Sequence, residues 1–239
     1  MIGSFSNFRG RFLCAGSAIL FLASAGLAYL SHSVPSAGRH SEELMYFPSG
    51  RFLKEAAMGH EVLLADLAWL RAVQYYGEHR QTDRNYKMAG HIFDVVTTLD
   101  PLFRNAYVFG GLVLAQDAGD LDKGVELLHK GVANIPDDWL LPFELGFIYY
   151  ICASDMAQAH RWFMEAAERP GHPESVERFA AYTAAHSGDP HTALQLWIRL
   201  YESTENAYVR RMAEERIRDL MSELEEAPPV GSDDGPRGP

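Results

Sequence analysis

The amino-acid sequence predicts an all-α protein, an α-solenoid of stacked helical hairpins with a transmembrane helix before it. A small residue followed four positions later by a bulky one recurs four times, at intervals of 34 or 35 residues. Prolines close three of these units. An uncharged apolar run lies near the N-terminus, at residues 12–30. A hairpin repeated at a fixed period is typical of solenoids, because each unit buries its apolar face only against its neighbours.

Composition argues against a largely disordered protein and against a nucleic-acid-binding protein. The chain has 239 residues, of which 47% are hydrophobic and 12% aromatic, enough to fold around a core over most of its length. Its 32 Asp and Glu exceed its 21 Lys and Arg, giving a formal net charge of −11. Such a charge repels nucleic acid, so we expect no nucleic-acid partner. The two cysteines lie far apart and predict no stabilising disulfide.

The apolar run at residues 12–30 follows a short N-terminus, residues 1–11, that carries Arg9 and Arg11. Its 19 residues just span a hydrocarbon core of about 30 Å at about 1.5 Å per residue. Two alternatives are open: an uncleaved signal anchor, or a signal peptide cut after Ala23-Ser24-Ala25. The run is long for a signal peptide, which favours the anchor. Residues 31–50 follow as a polar linker.

Charge at the two flanks of the run predicts its orientation. Arg9 and Arg11 lie on one side, whereas the other side offers Arg39 against Glu42 and Glu43. Basic residues favour the cytoplasmic side, so the body of the protein is expected outside the cytoplasm. The prediction is a single-pass protein of the inner (cytoplasmic) membrane, with residues 1–11 cytoplasmic and a periplasmic repeat domain. Both alternatives for the N-terminus agree on that side.

The body begins with a helical pattern between Phe52 and Tyr76, in which Gly59 is the predicted break between two helices. The first of these, residues 52–60, is a candidate cap for the front of the array. A polar connection is expected at residues 77–85, followed by a helix over 86–99. Asp100-Pro101 ends that helix, because proline cannot continue it and restrains the residue before it.

The repeat is clearest at residues 105–136, which read as two helices joined by a Gly-Asp turn and closed by a proline. Its second helix supplies the frame that the other units share. The small and bulky pairs are Ala89/Phe93, Gly124/Leu128, Ala159/Phe163 and Ala193/Trp197, and the closing prolines are Pro101, Pro136 and Pro170.

The first helices carry a family likeness. Leu145-Gly146-x-x-Tyr149 matches the small residue and aromatic of the tetratricopeptide pattern. Over residues 65–205 the chain resembles the tetratricopeptide repeat (TPR) family, and the start of its body looks like bacterial membrane-anchored TPR proteins of unknown specific role. The resemblance implies a protein-binding fold. Departures are a longer loop in the first unit, Pro142 in place of tryptophan, and Ala180 and Thr183 where Gly and Tyr are expected.

Both ends of the array need a cover. Residues 207–226 are predicted to form a capping helix that completes a repeat domain at 51–226. Residues 227–239 form a tail that composition predicts to be disordered. The apolar residues expected to face the array are Met212, Ile217, Leu220, Met221 and Leu224.

The TPR resemblance implies that the first helix of each unit lines a concave groove. When the groove positions of the TPR pattern are transferred to this repeat, they fall on Asn105, Val108, Leu112 and Gln116 in the second unit, and on Leu140, Phe143, Phe147 and Tyr150 in the third. These aromatic and aliphatic positions suit a partner segment with apolar anchors. Two alternatives are open: these side chains are core, or the capping helix fills the groove. A basic clamp for a peptide carboxylate is not evident at these positions.

No motif for catalysis, cofactor or metal is found. The sequence lacks a glycine-rich phosphate loop, a nucleophile elbow and a haem-attachment site, and its ten histidines lack ligand spacing. We therefore expect no enzyme, no cofactor and no metal. The predicted function is a membrane-anchored TPR-type interaction scaffold or assembly factor for an envelope complex. The alternative is a soluble periplasmic TPR chaperone or accessory subunit released by signal-peptide cleavage; an enzyme or metalloprotein is the third class considered.

Overall fold

The structure, a computed structural model, describes residues 48–226; the predicted anchor, linker and tail fall largely outside these residues. In this part of the chain all regular structure is helical, and no helix combines the length and apolarity needed to cross a bilayer. The helices are α1 (Gly50–Ala56), α2 (Glu61–Gln81), α3 (Ala89–Leu99), α4 (Arg104–Leu112), α5 (Leu121–Asn134), α6 (Leu140–Ile148), α7 (Met156–Ala167), α8 (Glu174–His186), α9 (Pro190–Ser203) and α10 (Ala207–Glu226). Helices α4 and α6 each continue into a π-helical turn, Val113–Asp117 and Tyr149–Ala153.

The helices pair as consecutive hairpins, α2 with α3, α4 with α5, α6 with α7 and α8 with α9. Each second helix also packs against the next first helix, as α5 does against α6 and α7 against α8. Helices α2, α4, α6 and α8 therefore form one layer, the first-helix layer, and α3, α5, α7 and α9 the other. The all-α class and the array of stacked hairpins are confirmed.

The second helices of units two, three and four begin with the same device. An aspartate at the N-cap accepts a hydrogen bond from the backbone N–H three residues on, at 3.0–3.2 Å. The residue before each aspartate has a positive φ, between 54° and 88°. Such a cap satisfies an amide that the helix leaves free, and the left-handed residue turns the chain sharply into it. The pairs are Gly119-Asp120, Ser154-Asp155 and Gly188-Asp189.

Small residues let the two helices of a hairpin approach closely. A Cβ built on Gly111 would lie 2.7 Å from Leu128 Cγ, and one on Gly146 would lie 2.7 Å from Phe163 Cδ1. One on Gly124 would lie 2.8 Å from the carbonyl oxygen of Gly111, so the backbones themselves are in contact there. The small and bulky pairing that defines the repeat in the sequence is thus a packing contact between helices.

The first hairpin differs from the prediction at its loop. Gly59 has φ +92° and separates α1 from α2, as expected. However, α2 runs on to Gln81, and α3 begins at Ala89, so part of the predicted connection is helical. The last turn is held because His79 is buried beside Asp83, 2.5 Å from its Oδ1. Tyr75 Oη donates to Asn85 O (2.7 Å) and accepts from Met88 N (3.2 Å), which fixes the remaining loop.

The first helix of unit four corrects the repeat register. Buried residues recur 35 positions apart in α4, α6 and α8, as Ala106, Leu141 and Val176 do. In this register Ala181 corresponds to Gly146, so Ala180 and Thr183 are not the residues to compare with Gly146 and Tyr149. The small residue that the pattern requires is therefore present in unit four.

The two ends of the array are flanked by different helices, and the one at the front covers α3 while leaving much of α2 exposed. Helix α1 packs against α3, where a Cβ on the buried Gly50 would lie 2.7 Å from Thr98 Cβ. Helix α10 spans Ala207–Glu226 and packs against α9. The predicted contact face of α10 is confirmed at Leu220, which is buried, and at Met212 and Ile217, which pack against the core. Met221 is instead exposed, and the buried Val209 and Ala213 were not predicted. The contacting residues recur at helical spacing, and Met221 falls next to that stripe.

Candidate functional site

The structure places six of the eight predicted groove residues on α4 and α6, which pack against each other in the first-helix layer, and Gln116 and Tyr150 in the π-helical turns that continue them. We call the solvent-facing side of that layer the first-helix face. The polar pair on it, Asn105 and Gln116, is exposed. The apolar and aromatic members are half-buried: Val108, Leu112, Leu140, Phe143, Phe147 and Tyr150. Their role in binding stays a prediction.

The aromatics of α6 also hold the next hairpin in place. The ring centroid of Phe179 on α8 lies 5.5 Å from that of Phe143, 6.5 Å from Phe147 and 6.2 Å from Tyr150. Tyr150 lies 6.0 Å from Tyr182 in an edge-to-face contact. Such contacts contribute to packing between units as well as to the surface. These rings therefore contribute to the packing between units and still keep part of their surface accessible.

The capping helix does not fill this face. Helix α10 packs against α9 and borders the face only at its C-terminal end, where Met212 and Arg216 approach Tyr182. The alternative in which α10 folds over α4 and α6 is wrong for the part of the chain that the structure describes, because an end cap must stack on the last hairpin to bury its apolar stripe.

The apolar surface extends onto α2, which the transfer by position did not include. Trp69 packs against Phe93, Phe103 and Phe109. The aliphatic residues beside it are instead 40–62% exposed. The inner side of α2 carries alanines, so its bulkier side chains face outwards. Exposed aliphatic side chains grouped on one helix are a feature of candidate interaction surfaces. The outward residues are Val62, Leu63, Leu67, Leu70 and Val73.

A cavity of ≈ 280 Å³ lies at the other end of the first-helix face, between α6, α8, α9 and α10. We call it the arginine pocket. Apolar and aromatic side chains form most of its wall, and Arg178 and Arg216 are its cations. In the 35-residue register that the buried residues of α8 define, Arg178 and Tyr182 correspond to Phe143 and Phe147. The remaining wall residues are Tyr150, Phe179, Trp197 and Met212.

Arg178 carries an unsatisfied donor. Its Nε is shielded from solvent and has no hydrogen-bond acceptor among the described residues. The nearest acid one turn earlier, Glu174, accepts instead from Thr204 Oγ1 at 2.8 Å. A buried donor without an acceptor costs about 1–3 kcal/mol, so the guanidinium of Arg178 is poorly satisfied by the described residues.

Glu144 on α6 is the other group that sequence reasoning missed. Burial raises the pKa of its carboxyl to about 7 from an ordinary 4.5. In the 35-residue register it corresponds to Phe109 and Phe179, whose rings each pack against the preceding first helix. We therefore expect Glu144 between α4 and α6, where desolvation disfavours its charged form.

Three larger cavities lie away from the first-helix face, and polar residues make up most of the lining of each. One, of ≈ 550 Å³, lies at the hairpin turns of units one and two, where Lys123 pairs with Asp120 at 2.5 Å. The others, of ≈ 430 and ≈ 760 Å³, lie beside α3 and α5, where Lys130 Nζ donates to Asp94 at 2.8 Å. Size alone makes none of them a site. Within residues 48–226 no three potential metal-ligating side chains cluster together.

Comparison with known proteins adds one distant likeness. No protein-family profile matches the chain, and no curated protein matches it. Among solved structures, it is similar to the crystal structure of MamA protein, with 16% identity and a TM-score of 0.41. The match covers 67% of this chain and 98% of that chain. A likeness at this level is too distant to add to the fold or the function.

Proposed function

We propose that this chain is a membrane-anchored, TPR-type protein-interaction scaffold or assembly factor of an envelope complex, which binds a segment of a partner protein on its first-helix face. One observation carries the proposal: each of the first three first helices carries exposed or half-buried apolar side chains, Leu70 and Val73 on α2, Val108 and Leu112 on α4, and Phe147 on α6. No helix of the described residues covers that face. Surfaces of this kind bury apolar anchors of a helical or extended segment.

The membrane part of the proposal is supported by the sequence. The uncharged run at residues 12–30, with arginines before it, fits an inner-membrane anchor that holds the repeat domain on the extracytoplasmic side. The Ala23-Ser24-Ala25 pattern favours the second candidate, a soluble periplasmic chaperone or accessory subunit. N-terminal sequencing of the mature protein separates the two, since a start at Gly26 means cleavage and an intact N-terminus means an anchor.

The proposal assigns the chain no catalysis, cofactor or metal, because its sequence lacks the residue patterns that those require. Elemental analysis of purified full-length protein checks this for metals. The expected result is no metal near one equivalent per chain. A stoichiometric metal would favour the third class, a metalloprotein or enzyme.

Capture of partners from solubilised membranes tests the binding face. Phe147→Ala and Tyr150→Ala each remove an aromatic anchor, and loss of such an anchor weakens binding about tenfold or more. We expect both variants to lose the partner that the wild type retains. Tyr201→Ala removes an aromatic of similar size from the outside of α9 and should retain it. Equal capture by all four proteins, each shown to be folded, would contradict the proposal.

A further inference from the structure

We propose that the arginine pocket recognises an acidic side chain that stands next to a large apolar side chain within the partner segment. This inference rests on the proposed function and deepens it, because it names the chemistry that fixes the position of the segment on the first-helix face. The pocket lies at the end of that face, where Tyr150 of α6 meets Arg178 and Tyr182 of α8.

Within residues 48–226 the two cations of the pocket have one ion-pair partner between them. Arg178 forms no ion pair within residues 48–226, and its shielded Nε has no acceptor there. Arg216 has only Asp219, one turn away on the same exposed side of α10, at 3.6 Å. A carboxylate accepts two hydrogen bonds from a guanidinium in one plane, so a carboxylate is the ligand that best satisfies Arg178.

The apolar side of the pocket explains why the acid needs an apolar neighbour. Phe179, Tyr182 and Trp197 form its wall, and Met212 closes it from α10. Its ≈ 280 Å³ fall just below the range of about 300–1,000 Å³ typical of small-molecule sites, which suits one or two side chains of a peptide. Methionine and aromatic rings adapt to different apolar side chains.

The charge of the whole chain makes this pocket selective. With a net charge of −11, the protein repels an acidic segment over most of its surface. The two arginines of the pocket replace this repulsion by attraction, so an acidic residue is favoured there and disfavoured elsewhere on the surface. Complementarity of this kind fixes register and excludes wrong partners.

An internal acidic residue of a partner is the occupant that the surface favours. The first-helix face continues from the pocket past Phe147 and Phe143, so the same segment needs apolar residues beyond its acid. Two other carboxylates are outcomes of the test: a chain-terminal carboxylate, and Asp233-Asp234 of the chain's own C-terminal segment.

The test uses full-length protein in detergent and two libraries of acetylated, amidated octapeptides. Both libraries vary apolar residues at the other positions; one fixes Asp at the fourth position and the other Asn. Dissociation constants are measured for the wild type, Arg178→Gln and the control Arg199→Gln, which removes an exposed arginine on α9. We expect the best Asp peptides to bind at least tenfold tighter than their Asn partners to the wild type and the control. Arg178→Gln should lose that preference.

A second variant distinguishes loss of recognition from loss of folding. Arg178→Lys keeps the charge without the guanidinium plane, so we expect a reduced but measurable preference for Asp, at an unchanged thermal midpoint. Equal binding of Asp and Asn peptides to the wild type, or an unchanged preference in Arg178→Gln, would overturn the proposal. So would binding that appears only when the same peptides are made with a free C-terminal carboxylate, or a preference that appears only after residues 227–239 are removed.

Failure of this inference is distinct from failure of the proposed function. If Arg178→Gln shows no effect on peptides while Phe147→Ala still abolishes partner capture, the first-helix face binds its partner without the arginine pocket. If neither variant affects its assay, both proposals fall.

Discussion

At the scale of single residues, the first-helix layer contains a carboxylate where its neighbours carry aromatics. Glu144 corresponds in the 35-residue register to Phe109 and Phe179. Burial raises its pKa to about 7, so near neutral pH it is ionised in only part of the folded molecules. A charged group in such a place destabilises the packed helices, and its neutral form does not.

Glu144→Gln should therefore change how stability depends on pH. The folded pKa is about 7 and the ordinary value 4.5, so the folded state binds more protons between these values. The free energy of unfolding should fall as pH rises through that window and then level off. The total loss is at most about 3 kcal/mol. The variant should be more stable than the wild type at pH 8 and flatter from pH 5 to 8, measured by urea unfolding. Glu215→Gln on the exposed side of α10 is the control; identical pH profiles for wild type and Glu144→Gln would contradict the assignment.

Replacing a glycine by alanine should have opposite effects on stability at a close helix contact and at an open helix surface. Gly146→Ala would place its Cβ 2.7 Å from Phe163, an overlap that should cost about 1–3 kcal/mol. Gly77, inside α2, has nothing within 4 Å of such a Cβ, so Gly77→Ala should stabilise by about 0.5–1 kcal/mol. Thermal and urea unfolding of both variants measure the difference. Equal shifts of the two variants would show that the close helix contact is not where the structure places it.

At the scale of helices, the starts of the second helices are the most uniform feature. The aspartate that begins α7 accepts from Gln158 N at 3.0 Å, directly after Ser154 at φ 54°. Equivalent aspartates begin α5 and α9. Each hairpin therefore sets the start of its second helix by local chemistry, and stacking then places that helix on the next unit.

Loss of one such N-cap should lower the free energy of unfolding moderately. Asp155→Ala removes the side-chain acceptor at the start of α7 and should destabilise the protein by about 1 kcal/mol. Asp137→Ala, in the exposed turn before α6, changes the same charge without removing a cap. Urea unfolding should separate the two variants. A cap variant as stable as its control would mean that the turn is held by other contacts.

Helix boundaries show what sequence patterns could and could not predict. The second helices were predictable because their caps, small residues and closing prolines lie within one short stretch of chain. The extra turn of α2 could not be predicted, because contacts of His79 and Tyr75 with a polar loop stabilise it. The arginine pocket was missed for a different reason: its walls come from four helices, and the position of Arg178 requires the register of α8, which only the burial of Val176 and Ala181 corrected.

At the scale of the repeat domain, the two ends of the array differ. The front presents aliphatic side chains of α2 such as Leu63 and Leu67, more than half exposed. The back is covered by α10, whose outer side is charged through residues such as Arg218 and Glu214, 3.3 Å apart. The surface that we assign to binding therefore runs from an open apolar front to a basic pocket at the back. That polarity gives a bound segment a preferred direction.

Site-specific photo-crosslinking in intact membranes tests the central claim, that the first-helix face binds a partner protein, most directly. A photoreactive residue replaces Leu112 on α4, at the middle of that face, or Gln195 on the exposed side of α9 as the control. We predict a discrete crosslinked species from position 112, lost when Phe147→Ala is added, and none from position 195. The same products from both positions, or none from position 112, would contradict the claim.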